Sequence, residues 1–190
     1  LLLDGRTPEE FARGHLVGSI NVGLEGRYAE FAGSVVSSES DIVLVVDSGF
    51  ELEARNRLGR IGFDRVVGYL ADPLGVMAAA PERTQRASRL TVREFEERRA
   101  DVDRLQVVDI RNPGEIALGA VPSATPIPVG QLPSRLAELD TSVPTVVYCA
   151  GGYRSSVAAS LLRNHGFGDV SDLLGGFGAW VEVTQATPTH

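Results

Sequence analysis

The chain contains one cysteine, Cys149, and the residues around it are suited to nucleophilic chemistry. Cys149 follows an apolar run and precedes a helix-like stretch, so its sulfur should lie at the carboxyl end of a parallel sheet, where ligands bind. Gly151 and Gly152 permit a tight turn with positive φ, which lets successive N–H groups converge on one point. The helix start and Arg154 add positive charge, which favours a reactive thiolate. We therefore predict that Cys149 is a nucleophile held in a loop of backbone amides.

The composition argues against several other functions. The net charge of −7 does not favour nucleic-acid binding, and all 18 basic residues are arginine, which leaves no lysine for a Schiff base or a Walker-type phosphate loop. No apolar run approaches the roughly 20 residues that cross a bilayer. A single cysteine cannot form an internal disulfide, which fits a cytoplasmic protein. The cysteine and the three histidines lack zinc-site spacing, so we expect no metal.

The elements that would position Cys149 belong to an internal repeat. An Asp-x-Arg-x-Pro-x-Glu pattern follows an apolar run twice, beginning at Asp4 and at Asp109. In each half a second apolar run follows, at residues 42–46 and 143–148, and then a helix-like stretch, at residues 53–61 and 155–165. Strands that alternate with helices in two copies predict an α/β fold with two tandem domains. Each domain should have a mainly parallel sheet flanked by helices on both faces.

The two copies are expected to differ at the nucleophile. Counted from the ends of the apolar runs, Asp47 stands where the second copy has Cys149, and the first loop region is two residues shorter. The first copy would then lack both the nucleophile and the arginine. We predict a degenerate, non-catalytic domain over residues 1–78 and a domain with the active-site cysteine over residues 84–183.

The start of the second copy has no equivalent in the first. Thr91 and Glu94 have the spacing of a capping box, which predicts a helix before the second Asp-x-Arg pattern. The first copy begins after that point, so we expect it to be truncated at its N-terminal side, with a possible upstream domain in a longer chain. Residues 71–88, which contain prolines and several arginines, are predicted to be a linker with one helical turn.

Three segments of the second half resemble the rhodanese family of sulfurtransferases. They are Cys-Ala-Gly-Gly-Tyr-Arg-Ser at 149–155, Asp-Ile-Arg-Asn-Pro-Gly-Glu at 109–115 and Gly-Gly-Phe-Gly-Ala-Trp at 175–180. The resemblance covers about residues 86–183 and, more weakly, 1–70. In the first half, residues 14–21 resemble the family's Gly-His-Ile-x-Gly-Ala segment, whereas the second half has Ala120 in place of that histidine. Because the histidine supports the fold in the family, its absence does not imply loss of activity.

The resemblance implies a sulfurtransferase that needs no cofactor. Sulfur would pass from thiosulfate or a persulfide donor to Cys149, and from the Cys149 persulfide to cyanide or a thiol. Arg154 would steer the donor. The backbone amides that form the anion cradle would be those of Ala150, Gly151, Gly152, Tyr153, Arg154 and Ser155.

The supporting residues have more than one interpretation. Asp109 belongs to the family's upstream element. Arg111 and Glu115 are four residues apart and could pair with each other, and a structural salt bridge is favoured over substrate contact. Tyr153 could shape the mouth of the pocket or only cover it. Ser156 could supply a hydroxyl to the loop, although a helix cap is the commoner role.

Two other functions remain open from the sequence. A cysteine-dependent phosphatase or arsenate reductase uses a similar loop, but with one residue more between cysteine and arginine than the four found here. The smaller loop favours a site for a single sulfur atom. The other alternative is a non-catalytic tandem module with an interaction or regulatory role in a larger, metallo-β-lactamase-like protein, which rests on analogy alone.

Overall fold

The computed structural model describes residues 1–186 and divides the chain into two compact units. The first unit comprises residues 1–87, and the second begins at Ser88. Each unit contains a parallel sheet flanked by helices, which confirms the predicted α/β class and the tandem arrangement.

The first unit begins directly with a strand. Its strands are β1 (Leu2–Asp4), β2 (His15–Leu16), β3 (Ser19–Asn21), β4 (Ile42–Val45), β5 (Val66–Tyr69) and β6 (Thr84–Gln85). Its helices are α1 (Pro8–Arg13), α2 (Tyr28–Val35), α3 (Glu51–Gly59), α4 (Pro73–Ala79) and a 3₁₀ turn at Pro81–Arg83.

After an additional strand and helix, the second unit repeats the order β1-α1-β3-α2-β4-α3-β5-α4 of the first unit. Its strands are β7 (Ser88–Leu90), β8 (Gln106–Asp109), β9 (Thr125–Pro126), β10 (Thr145–Tyr148) and β11 (Val170–Leu173). Its helices are α5 (Val92–Asp101), α6 (Pro113–Ile116), α7 (Leu132–Arg135), α8 (Tyr153–Asn164) and α9 (Gly176–Ala186), with 3₁₀ turns at Val129–Gln131 and Leu136–Glu138.

The two main sheets have matching strand orders. The first is β3-β1-β4-β5 and the second is β9-β8-β10-β11-β7, and all pairs are parallel. The strand β7 and the helix α5 are the lead-in that the first unit lacks among its described residues. The predicted capping box begins α5, because Thr91 Oγ1 accepts from the Glu94 N–H and Glu94 Oε2 accepts from the Thr91 N–H.

The pairing register gives a residue-by-residue correspondence between the copies. In the first sheet Asp4 pairs with Val45, and in the second its repeat equivalent Asp109 pairs with Tyr148. The backbone bonds agree, since Gly5 N–H donates to Val45 O at 2.8 Å and Ile110 N–H donates to Tyr148 O at 3.1 Å. Val45 and Tyr148 are therefore equivalent.

The residue that replaces the cysteine in the first copy is Val46. It follows Val45 directly and is 2% exposed, much as Cys149 is 1% exposed. The prediction that Asp47 takes this position was wrong by one residue, and Asp47 is exposed. The error arose because the apolar run includes a residue beyond the strand, whereas the ladder is set by hydrogen-bond partners.

The predicted shortening of the first loop is also wrong. Four residues separate Val46 from α3, whereas three separate Cys149 from α8. The helix is what differs, with nine residues in α3 and twelve in α8. Both helices are followed by a glycine with positive φ, at Gly62 and Gly166, as their C-terminal signals indicated.

The segment predicted as a linker, residues 71–88, is largely regular. Asp72 begins α4 by accepting from the Gly75 N–H at 3.0 Å, and Pro73 occupies the first helical position. The strand β6 then pairs antiparallel with β2. The helix α4 has seven residues, more than the one predicted turn, and this cap and proline define its start. The structure places the boundary between the units after Ala87.

Candidate active site

Cys149 lies directly after β10, at the carboxyl end of the second parallel sheet. Its side chain is buried, and its Sγ accepts a hydrogen bond from the Gly152 N–H at 3.0 Å. Gly152 has a φ of 96°, a left-handed conformation that directs this N–H back toward the sulfur, and it is the residue before α8. The sulfur therefore faces a backbone donor at the N-terminal end of a twelve-residue helix.

The beginning of α9 holds the backbone of the cysteine loop. Phe177 N–H donates to Cys149 O at 2.7 Å, and Gly178 N–H donates to Ala150 O at 3.1 Å. A Cβ at Gly176 would lie 2.2 Å from Cys149 O, closer than any real contact. Glycine is therefore required at position 176 by a close backbone approach, and the start of α9 fixes the position of the cysteine loop.

Asp109 and Arg111 form a buried ion pair beside the loop. Arg111 Nη2 donates to Asp109 Oδ2 at 2.6 Å and to Gly119 O at 2.7 Å. Tyr148 donates its hydroxyl to the same Asp109 oxygen at 2.6 Å, and burial together with this bond raises the pKa of Tyr148. The Arg111 guanidinium also lies 3.9 Å from the centre of the Phe177 ring. This pair supports the strand end and α9 and is not directed at the sulfur.

The same arrangement occurs in the first unit. Arg6 donates to Asp4 Oδ2 at 2.6 Å and to Gly14 O at 3.0 Å. Both units also have the capping box that begins the short helix, with Glu10 in the first copy and Glu115 in the second. The Asp-x-Arg-x-Pro-x-Glu pattern is thus a structural element that both copies retain, although only the second copy has the cysteine.

Glu115 pairs with Arg154, and the predicted pairing of Arg111 with Glu115 is wrong. Arg154 Nη1 and Nη2 donate to the two oxygens of Glu115 at 2.7 and 2.6 Å, a bidentate geometry. Arg111 reaches only the backbone oxygen of Glu115, at 3.4 Å, because its guanidinium is already bound to Asp109. The bond to Glu115 raises the pKa of Arg154, and the nearby Cys149 contributes to the same shift.

We expect the carboxylate of Glu115 to make the stability of the fold dependent on pH. Bonding to Arg154 lowers the pKa of Glu115 from 4.5 to about 2. A depressed carboxyl pKa contributes stability above pH 4.5 that is lost as the pH falls toward 2. We expect Glu115→Gln to reduce the free energy of unfolding by about 1 kcal/mol at pH 7, after allowance for solvent screening of this partly exposed pair. Urea denaturation of both proteins at neutral pH and near pH 2.5 measures the difference; a difference that stays constant would contradict this assignment.

Arg89 and Asp172, which the sequence did not single out, complete the buried side of the site beside Ser155. Ser155 Oγ lies 3.8 Å from Cys149 Sγ and donates to Asp172 Oδ2 at 3.3 Å. Arg89 donates to both oxygens of Asp172 at 3.2 Å and to Gly152 O at 3.3 Å. Burial raises the pKa of Asp172, and Arg89 opposes the shift. The pair thus holds Gly152 through its carbonyl while the N–H of that residue faces the sulfur.

The sequence carries one signal for this pair. Asp172 is a charged residue inside the short, buried strand β11, where a carboxylate needs a partner. The partner is set by register, since Asp172 pairs with Arg89 on β7 across 83 residues of sequence.

Ala150 and Gly151 are exposed, and Tyr153, the first residue of α8, is half-buried. Ser156 is buried as the fourth residue of α8, so the capping role favoured for it is wrong; Gly152 is the N-cap residue.

Within residues 1–186, no cluster of three or more His, Cys, Asp or Glu side chains could hold a metal ion. No helix in that range is both long and apolar enough to span a membrane.

The comparison with known protein families finds the same two repeats. The family model for the rhodanese-like domain matches residues 1–72 and 91–183. A sulfurtransferase of Allochromatium vinosum is 40% identical over 84 residues, which are 44% of this chain and 78% of that protein. The thiosulfate sulfurtransferase GlpE of Stutzerimonas stutzeri is 38% identical over 84 residues, or 44% of this chain and 77% of that protein.

Solved structures give similar matches. A rhodanese-like domain protein of Staphylococcus aureus is 30% identical, with a TM-score of 0.47, and the match covers 49% of this chain and 90% of that one. A thiosulfate sulfurtransferase of Pseudomonas aeruginosa is 23% identical, with a TM-score of 0.47, over 96% of this chain and 39% of that one. On the family-model match over both halves, this chain belongs to the rhodanese-like domain family.

Proposed function

We propose that this protein is a sulfurtransferase that carries sulfane sulfur as a persulfide on Cys149. The Cys149 thiolate attacks the outer sulfur of a donor, either thiosulfate or a persulfide. The S–S bond of the donor breaks, and its electron pair leaves with sulfite or with a thiolate. A thiol or cyanide then attacks the outer sulfur of the Cys149 persulfide, forms a new persulfide or thiocyanate, and returns Cys149 as the thiolate. No cofactor takes part in either step.

The observation that supports this proposal most is the hydrogen bond from Gly152 N–H to Cys149 Sγ. A cysteine that only fills space in a core does not need a hydrogen-bond donor from a glycine at positive φ. Nor does it need Arg89 to hold that glycine through its carbonyl oxygen. A donor at the N-terminal end of a helix stabilises negative charge on sulfur, both in the thiolate and in the persulfide anion. The sulfurtransferase names of the relatives support the same assignment.

The first test is sulfur loading followed by intact mass measurement. We expect the wild-type protein, incubated with thiosulfate or an organic persulfide, to gain the mass of one sulfur atom. Cyanide should remove that atom as thiocyanate. Cys149→Ser should gain nothing, because the hydroxyl of serine is a poor nucleophile toward sulfur.

Two controls separate this function from the alternatives. Ser134→Ala removes an exposed hydroxyl on α7 and leaves the cysteine loop unchanged, so sulfur uptake should persist. Wild-type protein that takes up no sulfur from either donor would refute the proposal. Hydrolysis of an aryl phosphate without sulfur uptake would indicate a phosphatase instead. The absence of both activities would indicate a binding module.

A further inference from the structure

Three guanidinium groups lie beside the cysteine loop in the described part of the second unit, and each is engaged by a carboxylate. Arg89 pairs with Asp172, Arg111 with Asp109, and Arg154 with Glu115. Arg154 is the group that the sequence indicated as the contact for an anionic donor, and both of its terminal nitrogens are bound to Glu115. Among the described residues of this unit, the site therefore offers backbone dipoles to the sulfur, while the three arginines beside it are each neutralised by a carboxylate.

Most arginines of the second unit are likewise paired with carboxylates. Residues 88–190 contain nine arginines and twelve aspartates and glutamates, a formal net charge of −3. Eight of the nine arginines, all within the described residues, form ion pairs with carboxylates, and the ninth, Arg163, donates to Val170 O. A dianion that approaches this unit therefore experiences a negative average electrostatic potential, and the paired arginines offset it little.

The two donor classes place very different charge on the site. In the reaction with thiosulfate, a thiolate and a dianion combine and then separate as the Cys149 persulfide anion and sulfite, so the transition state carries three negative charges. In the reaction with an organic persulfide, the thiolate attacks the terminal sulfur of R–S–SH. The S–S bond of the donor breaks, its electron pair leaves as R–S⁻, and the proton stays on the transferred sulfur. That transition state carries one negative charge, which the Gly152 N–H and the start of α8 can accommodate.

We infer that the Glu115–Arg154 pair makes Cys149 selective for an organic persulfide donor over thiosulfate. This inference rests on the proposed function and names the donor class of the same site. Glu115 acts here as a specificity residue, because it neutralises the arginine that would otherwise bind the sulfonate oxygens. Its other role, accepting from the Asn112 N–H at 3.0 Å, is one that the amide oxygen of glutamine can also fill.

The test compares the second-order rate constants for loading by thiosulfate and by 2-hydroxyethyl persulfide, followed by rapid quenching and intact mass. The measured quantity is the ratio of the thiosulfate constant to the persulfide constant, so differences in intrinsic donor reactivity cancel between variants. We expect Glu115→Gln to raise this ratio about tenfold, because it frees one positive charge close to the donor. The double variant Glu115→Gln with Arg154→Gln should lose the gain.

The first unit supplies a matched control, Glu10→Gln. Glu10 has the same capping-box position, and the substitution removes the same charge, but its carboxylate bonds to Thr7 and belongs to the unit without the cysteine. Its ratio should stay within about twofold of wild type. An unchanged ratio in Glu115→Gln, or an equal rise in Glu10→Gln, would overturn the inference.

A second measurement uses wild-type protein only and is independent of whether the variants fold. Loading by thiosulfate should become faster as ionic strength rises from about 20 to about 200 mM, because salt screens the repulsion of the dianion. Loading by 2-hydroxyethyl persulfide should change less. A thiosulfate rate that falls with added salt would reveal an attractive cation and would overturn the inference while leaving the sulfurtransferase function intact. Failure to load from either donor would instead refute the function itself.

Discussion

Replacement of Gly176 by alanine is expected to reduce the rate of sulfur loading on Cys149 about a hundredfold, since displacement of reacting groups by about 1 Å has effects of this size. The new Cβ would lie 2.2 Å from Cys149 O and 2.8 Å from the carbonyl carbon and oxygen of Ala150. All three atoms are backbone, so no side chain can rotate away. Gly176 also has a φ of 58°, which costs an L-residue roughly 1 kcal/mol or more.

The neighbouring Gly178→Ala is the matched control. A Cβ at Gly178 would lie 3.5 Å from Ala150 O, an ordinary contact, and this residue lies inside α9, where alanine is favourable. We expect Gly178→Ala to load sulfur at a rate within about twofold of wild type. Single-turnover loading measured by intact mass compares the variants. Equal rates for Gly176→Ala and wild type would show that the contact between α9 and the loop does not position the cysteine.

Substitution of Arg111 by methionine is expected to lower the free energy of unfolding by about 3–5 kcal/mol, the range found when one partner of a buried ion pair is removed. Arg111 and Asp109 are 2% and 1% exposed, so methionine would leave a buried carboxylate without its cation. Gly119 O would lose its donor as well, and the contact with the Phe177 ring would lose its charge. Urea denaturation can be followed by the fluorescence of Trp180, the only tryptophan of the chain, which lies on α9 of the same unit.

A double variant distinguishes charge from packing in this prediction. Arg111→Met combined with Asp109→Leu removes both charges, and it should be more stable than Arg111→Met alone, since the uncompensated carboxylate is gone. A loss below about 1 kcal/mol in Arg111→Met would mean that Asp109 is stabilised mainly by Tyr148. A double variant no more stable than the single one would mean that packing and not charge sets the cost.

Several features of the site could be predicted because they are encoded within short stretches of sequence. The cysteine loop, the two glycines after it and the following helix are contiguous in residues 149–164, so local conformational preferences were sufficient. The capping box at Thr91 depends on a spacing of three residues. The repeat itself was visible because its Asp-x-Arg-x-Pro-x-Glu pattern forms a local turn and helix start in each copy.

The errors concern contacts between residues distant in sequence. Glu115 has Arg111 four residues away, yet its partner is Arg154, 39 residues away, because Asp109 occupies the nearer arginine. Sequence spacing shows which charges can meet, but it does not show which partner is already taken. In the same way, the first copy carries Val46 and not Asp47 at the cysteine position, because the register of β4 against β1 decides the correspondence.

The sequence by itself determined the candidate nucleophile, the repeated α/β organisation and the positive-φ turn at Gly152, since each depends on residue type and short-range spacing. Only the tertiary structure decided how charge is distributed around Cys149. The pairing of the parallel strands β7 and β11 brings Arg89 beside Asp172, 83 residues away in the sequence. The packing of α9 against the cysteine loop brings the start of this helix beside the Cys149 carbonyl. The physical reason is that electrostatic interactions depend on distance in space and on which partners are already bound, neither of which a linear pattern records.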